Sequence, residues 1–133
     1  MNVNALDHVN IITARLDETA EFYKTLLGLE RRDGPAPLTP QNAQWMFDGA
    51  GRAIIHINAV DCPRAYERDV QPGSLTGAIH HVALNCSGYD EVLQRITALG
   101  LDFQTNTVEV IGLRQIFTAD PNNVLLELNF FAD

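Results

Sequence analysis

Short apolar runs alternate along the chain with polar, turn-forming stretches. Residues 6–11 (LDHVNI) and residues 79–84 (IHHVAL) are similar to each other. Each predicts a buried strand, because mostly apolar runs of this length occur inside sheets. Since an internal repeat gives corresponding positions corresponding places in the fold, the sequence predicts two related halves.

A helix is predicted after each of these strands. Asp17 is the predicted cap of the first helix, and Ser87 or Asp90 is the predicted cap of the second. Glycines are placed to end both helices, at Gly28 and Gly100. The apolar residues recur at helical spacing, in the first helix at Leu16, Ala20, Tyr23, Leu26 and Leu27, and in the second at Tyr89, Val92, Leu93, Ile96 and Leu99.

Strand-like segments separated by turn-forming residues follow each helix. Residues 48–51 (DGAG) precede a strand at 53–57, and residues 120–123 (DPNN) precede one at 124–130. Each half is therefore predicted to contain a strand, a helix and about three further strands.

The predicted fold class is α+β, with two βαβββ modules forming curved mixed sheets around a cavity. We expect one domain over residues 1–133, with half-modules at about 4–60 and 78–131. Residues 61–77 carry two prolines and two glycines and predict a solvated connector, and residues 33–40 predict a loop.

Composition excludes several classes of partner. A chain of 133 residues with 46% hydrophobic residues has the size of one compact domain. Its net charge of -8 repels phosphate backbones and anionic lipid head groups, so neither nucleic acid nor a membrane is an expected partner. There is no signal-peptide pattern at the N-terminus, and two cysteines are too few for a disulfide framework, so we expect a cytoplasmic protein.

The histidines fall on corresponding positions of the two halves. His8 and His81 occupy the same place in the first predicted strands, while His56 in the last strand of the first half corresponds to Glu127 in the second. Alternation along a strand turns His56 and Glu127 away from the apolar residues that face a helix. The same alternation turns His80 away from His81, so we expect a structural or interface role for His80.

A carboxylate in an apolar strand is costly unless it is paired or bound to a metal. His8, His81 and Glu127, brought together from separate strands, would form the facial ligand set that leaves open positions on a divalent metal.

The chain resembles the vicinal oxygen chelate superfamily in three runs, LDHVNIITARLDETAEFYKTLLGLE, IHHVALNCSGYDEVLQRITALG and LRQIFTADPNNVLLELNF. This superfamily groups glyoxalase I, bleomycin-resistance proteins, fosfomycin-resistance enzymes and extradiol dioxygenases. The resemblance implies that His8, His81 and Glu127 are metal ligands, with His56 as a fourth ligand or as a proton carrier beside the metal. The implied cofactor is one divalent metal ion per site, with Fe, Mn, Ni, Zn and Co not distinguished.

The resemblance also implies a metal-dependent enzyme whose small substrate chelates the metal through neighbouring oxygens. In a glyoxalase-like lyase or isomerase, Glu127 would remove a proton and His56 would return it. In an extradiol-type dioxygenase, iron would bind a catechol and dioxygen at adjacent positions. The alternative is a non-catalytic, drug-sequestering protein of the bleomycin-resistance type, which generally lacks the metal residues.

Two differences between this sequence and individual families of the superfamily reduce the number of expected activities. His56 stands where bacterial glyoxalase I usually has a carboxylate, which weakens an assignment to glyoxalase. A counterpart of the Lys- and Ser-rich phosphonate-binding loop of fosfomycin-resistance enzymes is missing between Thr105 and Phe117, so that activity is not expected.

Three further residues are candidates for the substrate pocket. Trp45 and Phe47 either line an apolar pocket or belong to an ordinary strand core. Arg114 either pairs with a substrate carboxylate or is a solvated strand residue. Because small members of the superfamily pair modules across chains, we expect a homodimer, in which the metal ligands can come from one chain or from both.

Overall fold

A computed structural model of the chain describes residues 1–63, 77 and 79–132. The chain divides into two compact units, residues 1–76 and 77–133. Within the described ranges, each unit contains one α-helix and four strands in the order βαβββ. This arrangement confirms the α+β class and the two βαβββ modules. Most of the connector predicted at 61–77 lies outside the described residues.

The first unit is a four-stranded mixed sheet with one helix. Its elements are β1 (Val9–Thr13), α1 (Leu16–Leu27), β2 (Glu30–Asp33), β3 (Ala43–Phe47) and β4 (Ala53–Ala59). The strand order is β1-β4-β3-β2, with β1 parallel to β4 and the other neighbours antiparallel. The predicted loop at 33–40 is confirmed, because β2 ends at Asp33 and β3 begins at Ala43.

The second unit repeats this topology. Its elements are β5 (Val82–Asn85), α2 (Tyr89–Ala98), β6 (Phe103–Val108), the short 3-10 helix η1 (Glu109–Ile111), β7 (Leu113–Ala119) and β8 (Leu125–Phe131). The strand order is β5-β8-β7-β6, with β5 parallel to β8. In both units the first and last strands are therefore parallel neighbours. Neither helix in the described ranges has the length and apolar character that a membrane span requires.

Each unit buries the apolar stripe of its helix and one face of its sheet. In α1 the fully buried apolar residues are Ala20, Tyr23 and Leu26, and on the sheet Met46 and Ile57 are equally buried. In the second unit, Ile96 of α2 is buried together with Ile116, Leu126 and Leu128 of the sheet. Strand alternation turns His56 and Glu127 onto the faces opposite Ile57 and Leu128.

The predicted helix caps are wrong, whereas the predicted stops are confirmed. Arg15 occupies the cap position of α1 and Gly88 that of α2, so Asp17 and Asp90 lie inside the first turns and Ser87 lies outside α2. An acidic residue in the first turn still interacts favourably with the helix dipole. The helices end at glycines in the left-handed conformation, Gly28 with φ of 69° and Gly100 with φ of 67°.

The first strand of each unit begins later than the sequence predicted. β1 begins at Val9 and β5 at Val82, so residues 6–8 and 79–81 precede the strands. Leu6 and Ile79 are 81% and 80% exposed instead of buried. The reason is that pairing to the last strand starts at Val9 with Ile55, and at Val82 with Leu126.

The two predicted turns share one hydrogen-bonding pattern. Asp48 Oδ1 accepts hydrogen bonds from the backbone N–H groups of Ala50 and Arg52, both at 2.9 Å. Asp120 Oδ1 accepts from Asn122 and Val124, at 2.7 and 2.9 Å. In such turns the aspartate side chain accepts hydrogen bonds from the backbone N–H groups that follow it. Both turns lead directly into the last strand of their unit.

Replacing Leu26 by alanine is expected to lower the free energy of unfolding by about 2–5 kcal/mol, because the side chain is fully buried. The matched control is Leu99→Ala just beyond α2, where the side chain is 43% exposed and the expected loss is below about 1 kcal/mol. Guanidinium denaturation measures both losses. Equal losses for the two variants would contradict the described core.

Burial raises the pKa of the Cys86 thiol to about 11, from 9.0. Because the thiolate is the reactive form, Cys86 at pH 8 is expected to react with iodoacetamide about 100-fold more slowly than a thiol with an unshifted pKa. The Cys62→Ser variant leaves Cys86 as the single thiol, and the same protein in urea provides the unshifted reference. The rate should keep rising up to about pH 11, and a plateau near pH 9 would contradict the burial.

Candidate functional site

In the first unit, His8 lies against His56. Asn10 of β1 lies opposite His56 of β4 in the parallel register, and His8 is two residues before Asn10. His8 lies just before β1, and the contact of its ring with that of His56 places it on the His56 side of the sheet. Their rings are stacked, with centroids 3.8 Å apart and planes inclined by 12°.

In the second unit, His81 and Glu127 have the same relationship. Ala83 of β5 lies opposite Glu127 of β8, and His81 is two residues before Ala83. His81 Nε2 is 3.0 Å from Glu127 Oε2. In each unit the histidine before the first strand therefore contacts the metal-capable side chain of the last strand.

The residue before each of these histidines contacts Nδ1 of its ring. Asp7 Oδ2 is 2.7 Å from His8 Nδ1, and His80 Nδ1 is 3.1 Å from His81 Nδ1. With Nδ1 engaged, Nε2 is the nitrogen left to face another group. The expectation that His80 points away from His81 is wrong, because both residues precede β5, where strand alternation does not apply.

A network of side-chain amides holds Glu127 and was missed by the sequence reasoning. Gln115 Nε2 donates to Glu127 Oε1 and also to Asn129 Oδ1, the latter at 3.0 Å. Asn106 Nδ2 donates in turn to Gln115 Oε1 at 2.8 Å. The Glu127 side chain is 16% exposed, so these contacts compensate for removing a carboxylate from water. The available signal was Gln115, a polar residue in the predicted strand segment LRQIF.

The surroundings of His56 are aromatic. Trp45 lies opposite His56 in the antiparallel register of β3 and β4, and the two rings stack at 3.9 Å with an interplanar angle of 6°. Burial lowers the pKa of His56, and the neighbouring His8 lowers it further. Both effects favour the neutral imidazole, which is also the form that binds metal ions.

The other two pocket candidates have different neighbours. The Arg32 guanidinium lies 4.4 Å from the ring centroid of Phe47. Arg114 is adjacent to Gln115 in β7 and therefore takes the opposite face of that sheet, where its guanidinium lies 4.0 Å from the ring centroid of Tyr89. Arg114 thus does not join Glu127.

Each unit offers two metal-capable side chains, His8 with His56 in the first and His81 with Glu127 in the second. Among the residues that the structure describes, neither unit groups three His, Cys, Asp or Glu side chains in a way that holds a metal ion. A divalent metal usually takes at least three protein ligands, so neither pair is sufficient alone.

Comparison with known proteins agrees with this architecture. The family model described as the Glyoxalase/Bleomycin resistance protein/Dioxygenase superfamily matches residues 5–128. "Glyoxylase I 4" of Arabidopsis thaliana is 25% identical over 131 residues, which cover 96% of this chain and 71% of that protein.

Two solved structures have a similar fold. A glyoxalase/dioxygenase from Nostoc punctiforme superposes with a TM-score of 0.73 at 18% identity, covering 99% of this chain and 94% of that one. A glutamate-to-glutamine variant of the fosfomycin resistance protein FosX from Listeria monocytogenes, complexed with Mn(II) and 1S,2S-dihydroxypropylphosphonic acid, superposes with a TM-score of 0.66 at 21% identity, covering 98% and 93%. Since the family model covers most of the chain, this protein belongs to the Glyoxalase/Bleomycin resistance protein/Dioxygenase superfamily.

Proposed function

We propose that this protein is a metal-dependent enzyme of the glyoxalase/dioxygenase type, acting on a small substrate that chelates the metal through neighbouring oxygens. Its ligands would be Nε2 of His8, Nε2 of His81 and the carboxylate of Glu127. The observation that supports this proposal is the repeated arrangement in the two units, in which a histidine with an engaged Nδ1 contacts the metal-capable residue of the last strand.

The donor chemistry fits a divalent metal. Imidazole nitrogen and carboxylate oxygen are both ligands of first-row divalent metals. His81 Nε2 and Glu127 Oε2 lie 3.0 Å apart, so the two side chains would be close enough to hold one ion. The Mn(II) complex of the related FosX variant supports a divalent metal as the cofactor.

A divalent metal, when bound, would polarise a substrate carbonyl or hold a pair of neighbouring oxygens. The residues of this chain would then supply orientation and proton transfer. The carboxylate of Glu127, oriented by Gln115, is the candidate to accept a proton beside a carbonyl. Trp45 and Phe47 would give the apolar contact that keeps water away from a small substrate.

The lyase or isomerase reaction and the dioxygenase reaction are separated by their substrates. Protein purified without added metal is first analysed for its native metal content. Turnover of the hemithioacetal of methylglyoxal would identify the glyoxalase type, which the similarity to "Glyoxylase I 4" favours. Oxygen consumption with catechols and iron-loaded protein would identify the dioxygenase type.

The proposal predicts one metal ion per complete ligand set. Isothermal titration with Mn(II) should show tight binding to the wild type. The variants His8→Ala, His81→Ala and Glu127→Gln should each bind Mn(II) more than about 100-fold more weakly. The reason is that loss of a residue that only contacts a metal ligand already lowers metal affinity by about 10–100-fold. The matched control is Glu109→Gln, at an exposed glutamate of η1, which should bind as the wild type does. Wild-type affinity in Glu127→Gln would contradict the ligand set.

We further propose a homodimer, tested by sedimentation at micromolar concentration. If the ligand sets are shared, mixing His8→Ala with Glu127→Ala protein should restore metal binding to half of the sites in each mixed dimer. A monomer at every concentration would exclude the dimer. A dimer without restored binding, after subunit exchange is confirmed, would assign each ligand set to one chain.

A further inference from the structure

Three aromatic rings form a continuous stack in the first unit. His56 lies in the middle, with Trp45 on one side at 3.9 Å and His8 on the other at 3.8 Å. The planes are nearly parallel, with inclinations of 6° and 12°. Both faces of the His56 ring are therefore covered by other rings.

This stack is incompatible with ligation of one metal by both histidines. A metal bound to an imidazole nitrogen lies in the plane of that ring, about 2.0–2.1 Å from the nitrogen. Two stacked rings with planes inclined by only 12° have no common point within that distance. A metal held by His8 Nε2 would thus lie outside the plane of His56.

His8 is a residue whose ring needs support from side chains. It precedes β1, so the backbone pairing that begins at Val9 does not fix it. Its hydrogen-bond partner Asp7 has a side chain that is 91% exposed, and such a contact in water holds a ring weakly. The flat surface of His56, itself held by Trp45, is the more rigid support.

We propose that His56 is a positioning residue that orients the His8 ring by stacking, and that it is not a fourth metal ligand. This inference rests on the proposed function for the metal that His8 would bind. It implies that the chain supplies three ligands, His8, His81 and Glu127. With three protein ligands, a divalent metal would keep positions open for a substrate that binds through two oxygens.

The test compares His56→Phe, which keeps a flat ring but has no donor nitrogen, with His56→Ala, which removes both. A stacking role predicts that His56→Phe binds Mn(II) within about 3-fold of the wild type, whereas His56→Ala binds about 10-fold more weakly. A ligand role predicts equal losses for the two variants. Far-UV circular dichroism checks that both variants are folded.

A second readout counts the bound imidazoles. Electron spin echo modulation of Cu(II)-loaded protein should detect two coordinated imidazoles in the wild type and still two in His56→Phe. Three in the wild type and two in the variant would identify His56 as a ligand and overturn the inference.

A third readout needs no metal and separates this inference from the proposed function. In metal-free protein, the ring protons of His8 should shift in the NMR spectrum of His56→Ala, and shift less in His56→Phe, because ring-current effects depend on stacking. Unchanged His8 signals in His56→Ala would overturn the positioning role whether or not the wild type binds a metal. Absence of metal binding by the wild type, with the His8 shifts as expected, would overturn the proposed function and the three-ligand set but leave the stacking established.

Discussion

Parallel pairing between the first and last strands of each unit is the constraint on which the candidate site depends. It aligns Asn10 with His56 and Ala83 with Glu127. The histidine that precedes each first strand thereby lies next to the last strand, where it contacts His56 in the first unit and Glu127 in the second. Because both units have this pairing, the repeat in the sequence is also a repeat of side-chain contacts.

The two units surround their metal-capable side chains differently. His56 lies between aromatic rings, and its pKa is lowered by burial. Glu127 instead lies in a network of amides that Gln115 connects to Asn106 and Asn129. Stacking stabilises a neutral ring, whereas amide donors stabilise a carboxylate. The substitution of histidine for glutamate at corresponding positions is thus accompanied by a change of the whole environment.

Much of the architecture was predictable because periodicity and turn chemistry act locally. The strand and helix order, the glycine stops and the turns at Asp48 and Asp120 follow from short-range preferences. The correspondence of His56 with Glu127 was also readable, since a repeat transfers positions from one half to the other. Residue alternation then gave the correct faces for both side chains.

The sequence-based predictions were wrong where the pairing of distant segments determines the structure. An apolar run does not show where its pairing with the partner strand begins. The sequence therefore predicted burial of Leu6 and Ile79 and a His80 ring turned away from His81, and both predictions are wrong. The contact between Gln115 and Glu127 joins residues twelve apart on neighbouring strands, and it depends on a register that the sequence does not show. The roles of Asp7 and His80 beside the ring nitrogens likewise depend on side-chain geometry.

The central proposal is that one divalent metal would be bound by Nε2 of His8 and Nε2 of His81, whose Nδ1 atoms contact Asp7 and His80. Long-range ¹H–¹⁵N NMR of the four histidine rings during titration with Zn(II), a diamagnetic probe, tests it most directly. We expect the Nε2 signals of His8 and His81 to change together at one Zn(II) per ligand set, while both nitrogens of His56 retain the signals of an unligated ring. A signal typical of metal ligation at Nδ1 of His8 or His81, or at either nitrogen of His56, would contradict it.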